Sequence, residues 1–293
     1  MEKIGIIGLG NMGMGIAKNL IKGGYATMGY DLRKECLEEI VTHGGEAAES
    51  VSQIGKLCDV VFVMVMNGNQ VKEVVTQLSP GLNGRGTIII TATITPEEVR
   101  EAYNIAKGSN IRMVDSPVSG GLDGAHEGTL TLMTSADDKT FSDCHDILDA
   151  ISKDIFHVGK NIGDGQTVKA SLQSFIGSTF AAIFESLVLG SKAGIDGKIL
   201  YDVFSSSGVS SPLFKNCAKL IMDRKFENTG SHISTMYKDL GITMDMAKKN
   251  GVPMFTTGAA FELFQAGISM YPEGDNWSIV KVLEKMADTK VEW

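Results

Sequence analysis

A chain of 293 residues, 43% of them hydrophobic, is longer than one typical domain and reads as two, each able to bury a core without disulfide staples. A net charge of −8 with no block of Lys or Arg argues against nucleic acid or an anionic membrane as partner. The four cysteines (Cys36, Cys58, Cys144, Cys217) lack CxxC spacing and the five histidines (His43, His126, His145, His157, His232) lack HxxxH or HExxH spacing, so no metal site and a reducing, cytoplasmic compartment are expected.

The chain opens on an apolar run, residues 3–7, expected as a buried parallel strand. Gly8-Leu9-Gly10-Asn11-Met12-Gly13 follows, and a helical pattern covers residues 14–20. The glycines interrupt the apolar run, so no signal peptide is expected. Strand, tight turn and helix form the context in which Gly-x-Gly-x-x-Gly binds a dinucleotide. Gly8 allows the turn, Gly10 lets the backbone approach the pyrophosphate, and Gly13 lets the helix lie close to the strand. The helix N-terminus that follows offers N–H groups and a positive dipole end to the phosphates, with Asn11 and Met12 of the loop as further cofactor contacts. A second strand, residues 25–30, ends at Asp31, about 20 residues beyond the glycines, which is the spacing of a carboxylate on the adenosine ribose. Such a carboxylate accepts from the 2′-OH of NAD and repels a 2′-phosphate. Arg33, two residues on, is placed to hold that phosphate instead, so NAD is favoured and NADP stays open.

Apolar, β-rich runs follow at residues 59–66, 87–90 and 111–114, with helical patterns at 70–77 and 96–106, the latter opening on Pro96. Two further strands, 128–134 and 155–158, flank a helix at 139–151. From Gly163 the strand signal stops. A long helix is expected at about 166–193, then shorter helices at 198–205, 212–223, 235–249, 254–266 and 277–287. The expected fold is α/β: a doubly wound parallel Rossmann sheet over residues 1–162, then a long interdomain helix opening an all-α substrate domain over 163–293. The nearly apolar stretch 172–190 contains Gln173, Glu185, serines and glycines, and reads as a helix buried in protein rather than a bilayer span.

Two segments offer groups for chemistry. Asp115-Ser116-Pro117-Val118-Ser119-Gly120-Gly121 begins at a strand end, where ligands of α/β sheets bind. Ser119, Gly120 and Gly121 expose backbone N–H groups beside a hydroxyl. They read either as a nest for a carboxylate or as a plain loop that needs glycine for its dihedrals. Gly163-Asp164-Gly165-Gln166-Thr167-Val168-Lys169 opens the long helix, where Lys169 and Gln173 share one face. Lys169 reads either as a snorkelling surface lysine or as a general acid that protonates a carbonyl oxygen during reduction, and a base in reverse.

Together these motifs carry a resemblance to the β-hydroxyacid dehydrogenases, the group containing 3-hydroxyisobutyrate dehydrogenase and tartronate semialdehyde reductase. It runs nearly end to end. It rests on the Gly8–Gly13 loop, Asp115-Ser116-Pro117-Val118-Ser119-Gly120-Gly121 with Gly128-Thr129-Leu130, Gly163-x-Gly165-x-x-x-Lys169, and Lys238-Asp239-Leu240. The resemblance implies that Lys169 is catalytic and that Ser119, Gly120 and Gly121 hold the substrate carboxylate. It implies that Met66, Asn67 and Thr93 line the cofactor and that Lys238 approaches it from the α-domain. It also implies a homodimer or homotetramer built on the α-domains.

Several positions depart from the family pattern. Leu172 and Gln173 stand where Asn-Asn is usual, and glutamine keeps the donor and acceptor on a longer stem. A similar glutamine occurs in the threonate-dehydrogenase-like branch, which points to a polyhydroxylated acid. Val209 replaces an arginine that many relatives carry, weakening the case for a dicarboxylate. Ala92 and Gly15 replace a serine and a methionine. Lys169 is retained, whereas imine-reducing relatives typically replace it. The expected activity is hydride transfer between NAD(H) and a small 3-hydroxy acid or its semialdehyde, with Lys169 as proton donor or acceptor and Gln173 positioning the substrate. An NADP-linked semialdehyde reductase and a non-catalytic dinucleotide sensor remain alternatives.

Overall fold

The computed structural model describes residues 2–293. The chain divides into two compact units, Met1–Lys169 and Ala170–Trp293. The first unit holds β1 (Lys3–Ile7), α1 (Asn11–Lys22), β2 (Ala26–Tyr30), α2 (Lys34–Thr42), β3 (Glu46–Ala47), α3 (Val51–Leu57), β4 (Val60–Val63), α4 (Gly68–Leu82), β5 (Thr87–Ile90), α5 (Pro96–Gly108) and β6 (Arg112–Asp115). It continues with β7 (Val118–Ser119), α6 (Gly121–Glu127), β8 (Leu130–Ser135), α7 (Asp138–Asp149), β9 (Ser152–Gly159) and the start of α8 (Asp164–Lys192).

The sheet runs β3-β2-β1-β4-β5-β6-β8-β7, with β9 on β8. β1 to β6 are all parallel, while β8 runs antiparallel to β6 and β7. Strand residues alternate between two cores. Val61, Val63, Ile88 and Ile90 pack with α3, α4 and α5, while Val60, Phe62 and Ile89 pack with α1, α2, α6 and α7. Burial on both faces explains why these strands read as continuous apolar runs. Thr95 and Glu98 close a capping box at α5, with Pro96 in the first turn, so this helix starts where its sequence says it should.

Five elements lie outside the expected pattern: α2, β3, α3, β7 and α6. α2 buries only Cys36 and Ile40, too little for a visible stripe. β3 and β7 are two residues each. α6 hides in a glycine-rich segment, bounded by Gly120, Gly121 and Gly128 at positive φ.

The second unit comprises the rest of α8, then α9 (Gly197–Ser206), α10 (Pro212–Met222), α11 (Ile233–Asn250), α12 (Phe255–Met270), a 3-10 turn at Asn276–Ile279 and α13 (Val280–Ala287). By length and composition α8 could cross a membrane. Here Phe180, Phe184 and Leu187 build a core with Phe264 and Trp277, and Phe184 and Leu187 are fully buried. That packing accounts for one face of the helix, while Phe175 and Leu189 stay exposed on another.

Candidate active site

The dinucleotide loop is shaped by close backbone approach. Gly8 sits at φ 91°, and a Cβ there would lie 2.3 Å from the Met64 carbonyl oxygen. A Cβ on Gly13 would lie 1.8 Å from the Gly8 carbonyl oxygen. Gly10 differs: its nearest neighbour would be Nη2 of Arg33 at 3.6 Å, so the space above it is open. Gly10 also caps α1 without a side-chain hydrogen bond, and the first turn, with Asn11 and Met12, carries no acidic residue. The loop fits the pyrophosphate of a dinucleotide.

Asp31 follows β2. Its Oδ2 accepts from the Leu9 N–H at 2.8 Å, and its Oδ1 accepts from the Arg33 N–H at 2.9 Å and from Arg33 Nε at 3.1 Å. Partial burial pushes this carboxyl up, but the Arg33 side chain and the two backbone donors outweigh it and hold Asp31 below the usual carboxylate range.

Met66 and Asn67 follow β4 and Thr93 follows β5, so these positions share the carboxyl edge of the sheet with the Gly8–Gly13 loop and Asp31. Asn67 also has a structural duty as N-cap of α4, accepting from the Gln70 N–H at 3.0 Å. Ser119 ends β7, Gly120 is the N-cap of α6, and Gly121 is its first residue. The expected open turn is therefore the start of a short helix, with φ of 133° and 63° at the two glycines. α6 is pressed onto α1 at Gly15, where a Cβ would lie 2.7 Å from the Ala125 carbonyl. Asn19, one turn further along α1, donates to the carbonyl oxygens of Ala125 and His126 at the end of α6. Gly15 in place of methionine thus has a packing reason.

Lys169 lies in the second turn of α8 and is only 7% exposed. The start of α8 is held by a group that sequence reasoning did not single out. Asp115, at the end of β6, is fully buried. Its Oδ1 accepts from Gln166 Nε2 at 2.8 Å, and its Oδ2 accepts from the Gly163 N–H at 2.9 Å, Ser135 Oγ at 3.1 Å and the Gln166 N–H at 3.3 Å. Burial pushes the Asp115 carboxyl up to about 6, against the pull of these donors. Gln166 also donates to the Ala92 carbonyl at 3.0 Å and accepts from the Ile94 N–H at 3.1 Å.

In the second unit, Gln173 and Lys238 meet at Asp239, which is 3% exposed. Gln173 Nε2 donates to Asp239 Oδ2 at 2.5 Å, and Lys238 Nζ lies 3.2 Å from Oδ1. α8 and α11 can approach this closely because Gly177 faces Leu240, where a Cβ would come within 2.7 Å. Thr243 Oγ1 donates to the Ala170 carbonyl at the same crossing. Among the described residues no group of three or more His, Cys, Asp or Glu is placed to hold a metal ion.

The sheet and its glycine loop define a dinucleotide-binding protein of the Rossmann class. A family model described as the NAD binding domain of 6-phosphogluconate dehydrogenase matches residues 3–159, and one described as NAD-binding of NADP-dependent 3-hydroxyisobutyrate dehydrogenase matches 163–283. The chain is 33% identical to 2-(hydroxymethyl)glutarate dehydrogenase of Eubacterium barkeri, over 99% of this chain and 97% of that one. It is 32% identical to L-threonate dehydrogenase of Cupriavidus necator, over 96% of each. A crystal structure of 3-hydroxyisobutyrate dehydrogenase from Salmonella typhimurium superposes with a TM-score of 0.87 at 28% identity, covering 96% of this chain and 100% of that one. The chain belongs to the β-hydroxyacid dehydrogenase family. It is an NAD(P)-dependent oxidoreductase acting on the CH–OH group of a small hydroxy acid.

Proposed function

We propose that this enzyme interconverts a small, hydroxyl-rich 3-hydroxy acid and its semialdehyde with NAD, using Lys169 as the proton-transfer group. The observation that carries the proposal is a lysine only 7% exposed in the unit that holds the dinucleotide loop. Bound NAD supplies the hydride acceptor. Lys169 takes the hydroxyl proton during oxidation and returns it to the carbonyl oxygen during reduction. The Ser119 hydroxyl and the backbone N–H groups of Gly120 and Gly121 hold the substrate carboxylate. Met66, Asn67 and Thr93 line the cofactor along the sheet edge, and the family resemblance gives Lys238 a part in holding it.

The hydroxyl-rich substrate follows from Gln173. A carboxylate oxygen only accepts, so Asp239 takes the amide nitrogen of Gln173 and leaves its Oε1 as the acceptor. An acceptor there suits a second hydroxyl on the substrate, as in the threonate for which one relative is named.

NAD is favoured over NADP by Asp31, whose carboxylate is kept ionised at the ribose position. The NADP-linked reading draws on Arg33, whose guanidinium stands beside Gly10. A homo-oligomer is supported by an apolar stripe on α8: Val168 and Phe175 lie a heptad apart and Leu189 two heptads on, with Phe175 70% and Leu189 72% exposed. Four free, buried cysteines support the cytoplasm as its compartment.

The test is reduced-cofactor absorbance with NAD and NADP across threonate, glycerate, 3-hydroxyisobutyrate and 4-hydroxybutyrate, with each aldehyde in reverse. A rate that is NAD-linked and highest on threonate or glycerate is expected. Silence across the panel, with NAD still bound, would overturn the proposed substrate class in favour of a hydroxy acid outside the panel.

A further inference from the structure

The N–H groups of Gly163 and Gln166 belong to the start of α8, where the helix itself offers no acceptor. Asp115 supplies one from the end of β6, so a buried carboxylate caps the helix that carries Lys169. The fit is tight: a Cβ on Gly165 would lie 2.5 Å from the Met133 carbonyl oxygen and 2.9 Å from that of Asp115. Capping alone accounts for Asp115, but it does not account for Gln166.

Gln166 is 1% exposed and spends both ends of its amide across the sheet edge. Its nitrogen reaches Asp115 and the Ala92 carbonyl, and its oxygen takes the Ile94 N–H. The backbone on either side of Thr93 is thus tied to the turn that precedes Lys169. A helix cap needs none of these bonds. They make sense if the loop after β5 and the lysine must keep a fixed distance.

We propose that Gln166, held in orientation by Asp115, is a positioning residue that locks the Thr93 loop and Lys169 into one rigid body. This rests on the reading of Lys169 as the proton-transfer group. Because Asp115 and the Ala92 carbonyl accept while Ile94 donates, only one orientation of the amide satisfies all three. A flipped amide or an apolar side chain releases both segments together.

The test is a double-mutant cycle of Gln166→Met and Lys169→Ala, with kcat read on the best acid of the panel at saturating NAD. Gln166→Met alone should lower kcat by roughly tenfold to a hundredfold, the size of effect expected from about 1 Å of misplacement. In the Lys169→Ala background it should lower kcat no further. Hydrogen exchange in the cofactor-free protein gives a second readout, in which the amides of residues 92–95 and of 163–170 should both exchange several-fold faster. Equal losses in both backgrounds, or faster exchange in the helix turn alone, would overturn the proposal while leaving the lysine reading intact. Undiminished turnover in Lys169→Ala by itself would remove that reading, and the proposal with it. Should Gln166→Met fail to fold, Gln166→Glu keeps the shape and the acceptor for Ile94 and takes its place in the same cycle.

Discussion

The backbone N–H of Leu9 donates to Oδ2 of Asp31 at 2.8 Å, tying the phosphate loop to the carboxylate at the end of the neighbouring strand. The same carboxylate holds the Arg33 side chain. One residue therefore sets the loop and restrains the nearest cation, and it is the residue proposed to accept from the ribose.

Replacing that carboxylate frees Arg33. Asp31→Ser should raise the ratio of NADP to NAD kcat/KM by roughly tenfold to a hundredfold, the scale of a hydrogen bond to a charged group. Steady-state kinetics with both cofactors check this, and an unchanged ratio would contradict the assignment of Asp31 to the ribose.

Gly10 and Gly13 should separate binding from folding. Gly13→Ala places a methyl 1.8 Å from the Gly8 carbonyl oxygen, so the backbone must move, at a cost of about 1–3 kcal/mol. Both Tm and NAD affinity should fall. Gly10→Ala meets nothing nearer than 3.6 Å in the protein, so Tm should hold while NAD affinity drops. Thermal unfolding and NAD titration of the two variants read this contrast.

Gly15→Ala should act on the acid rather than on the cofactor. Its methyl would meet the Ala125 carbonyl at 2.7 Å and push α6 away from α1. α6 starts at Gly121, next to Ser119 and Gly120, so the carboxylate grip proposed for these three residues shifts with it. KM for the acid should rise several-fold while KM for NAD stays near its original value.

Asp115 predicts a slope of stability with pH. Burial raises its carboxyl to about 6 in the folded chain, while an unfolded aspartate titrates near 3.9. The folded state therefore holds this proton more tightly. Its stabilisation is fully present below about pH 4 and is lost as pH rises through about 6, a change of roughly 3 kcal/mol. The partners around the carboxyl, Gln166, Gly163 and Ser135, carry no charge of their own. Denaturant unfolding between about pH 4 and 7 should show the native protein losing stability relative to Asp115→Asn as pH rises through this window.

The parallel sheet was legible because β1, β4 and β5 are buried on both faces and so appear as unbroken apolar runs. The spacing of Asp31 to the glycines was legible, but its bond to the Leu9 N–H was not. α6 was not, because its flanking glycines read as turn residues, although they serve as the helix's N-cap, first residue and C-cap. The role of Gln166 was hidden for a different reason: its partners lie 51 to 74 residues away in the chain, beyond any local pattern. Asp239 stood in a recognised motif, but only the crossing of α8 and α11 at Gly177 shows that it orients Gln173.

The most direct test of the account is the turnover of Lys169→Ala at saturating NAD and acid, with NAD affinity measured on the same protein. Loss of a general acid–base should lower kcat by roughly 10²–10⁴-fold while leaving NAD binding within a few-fold of the native protein. Turnover at the native rate would show that the proton is moved by another group.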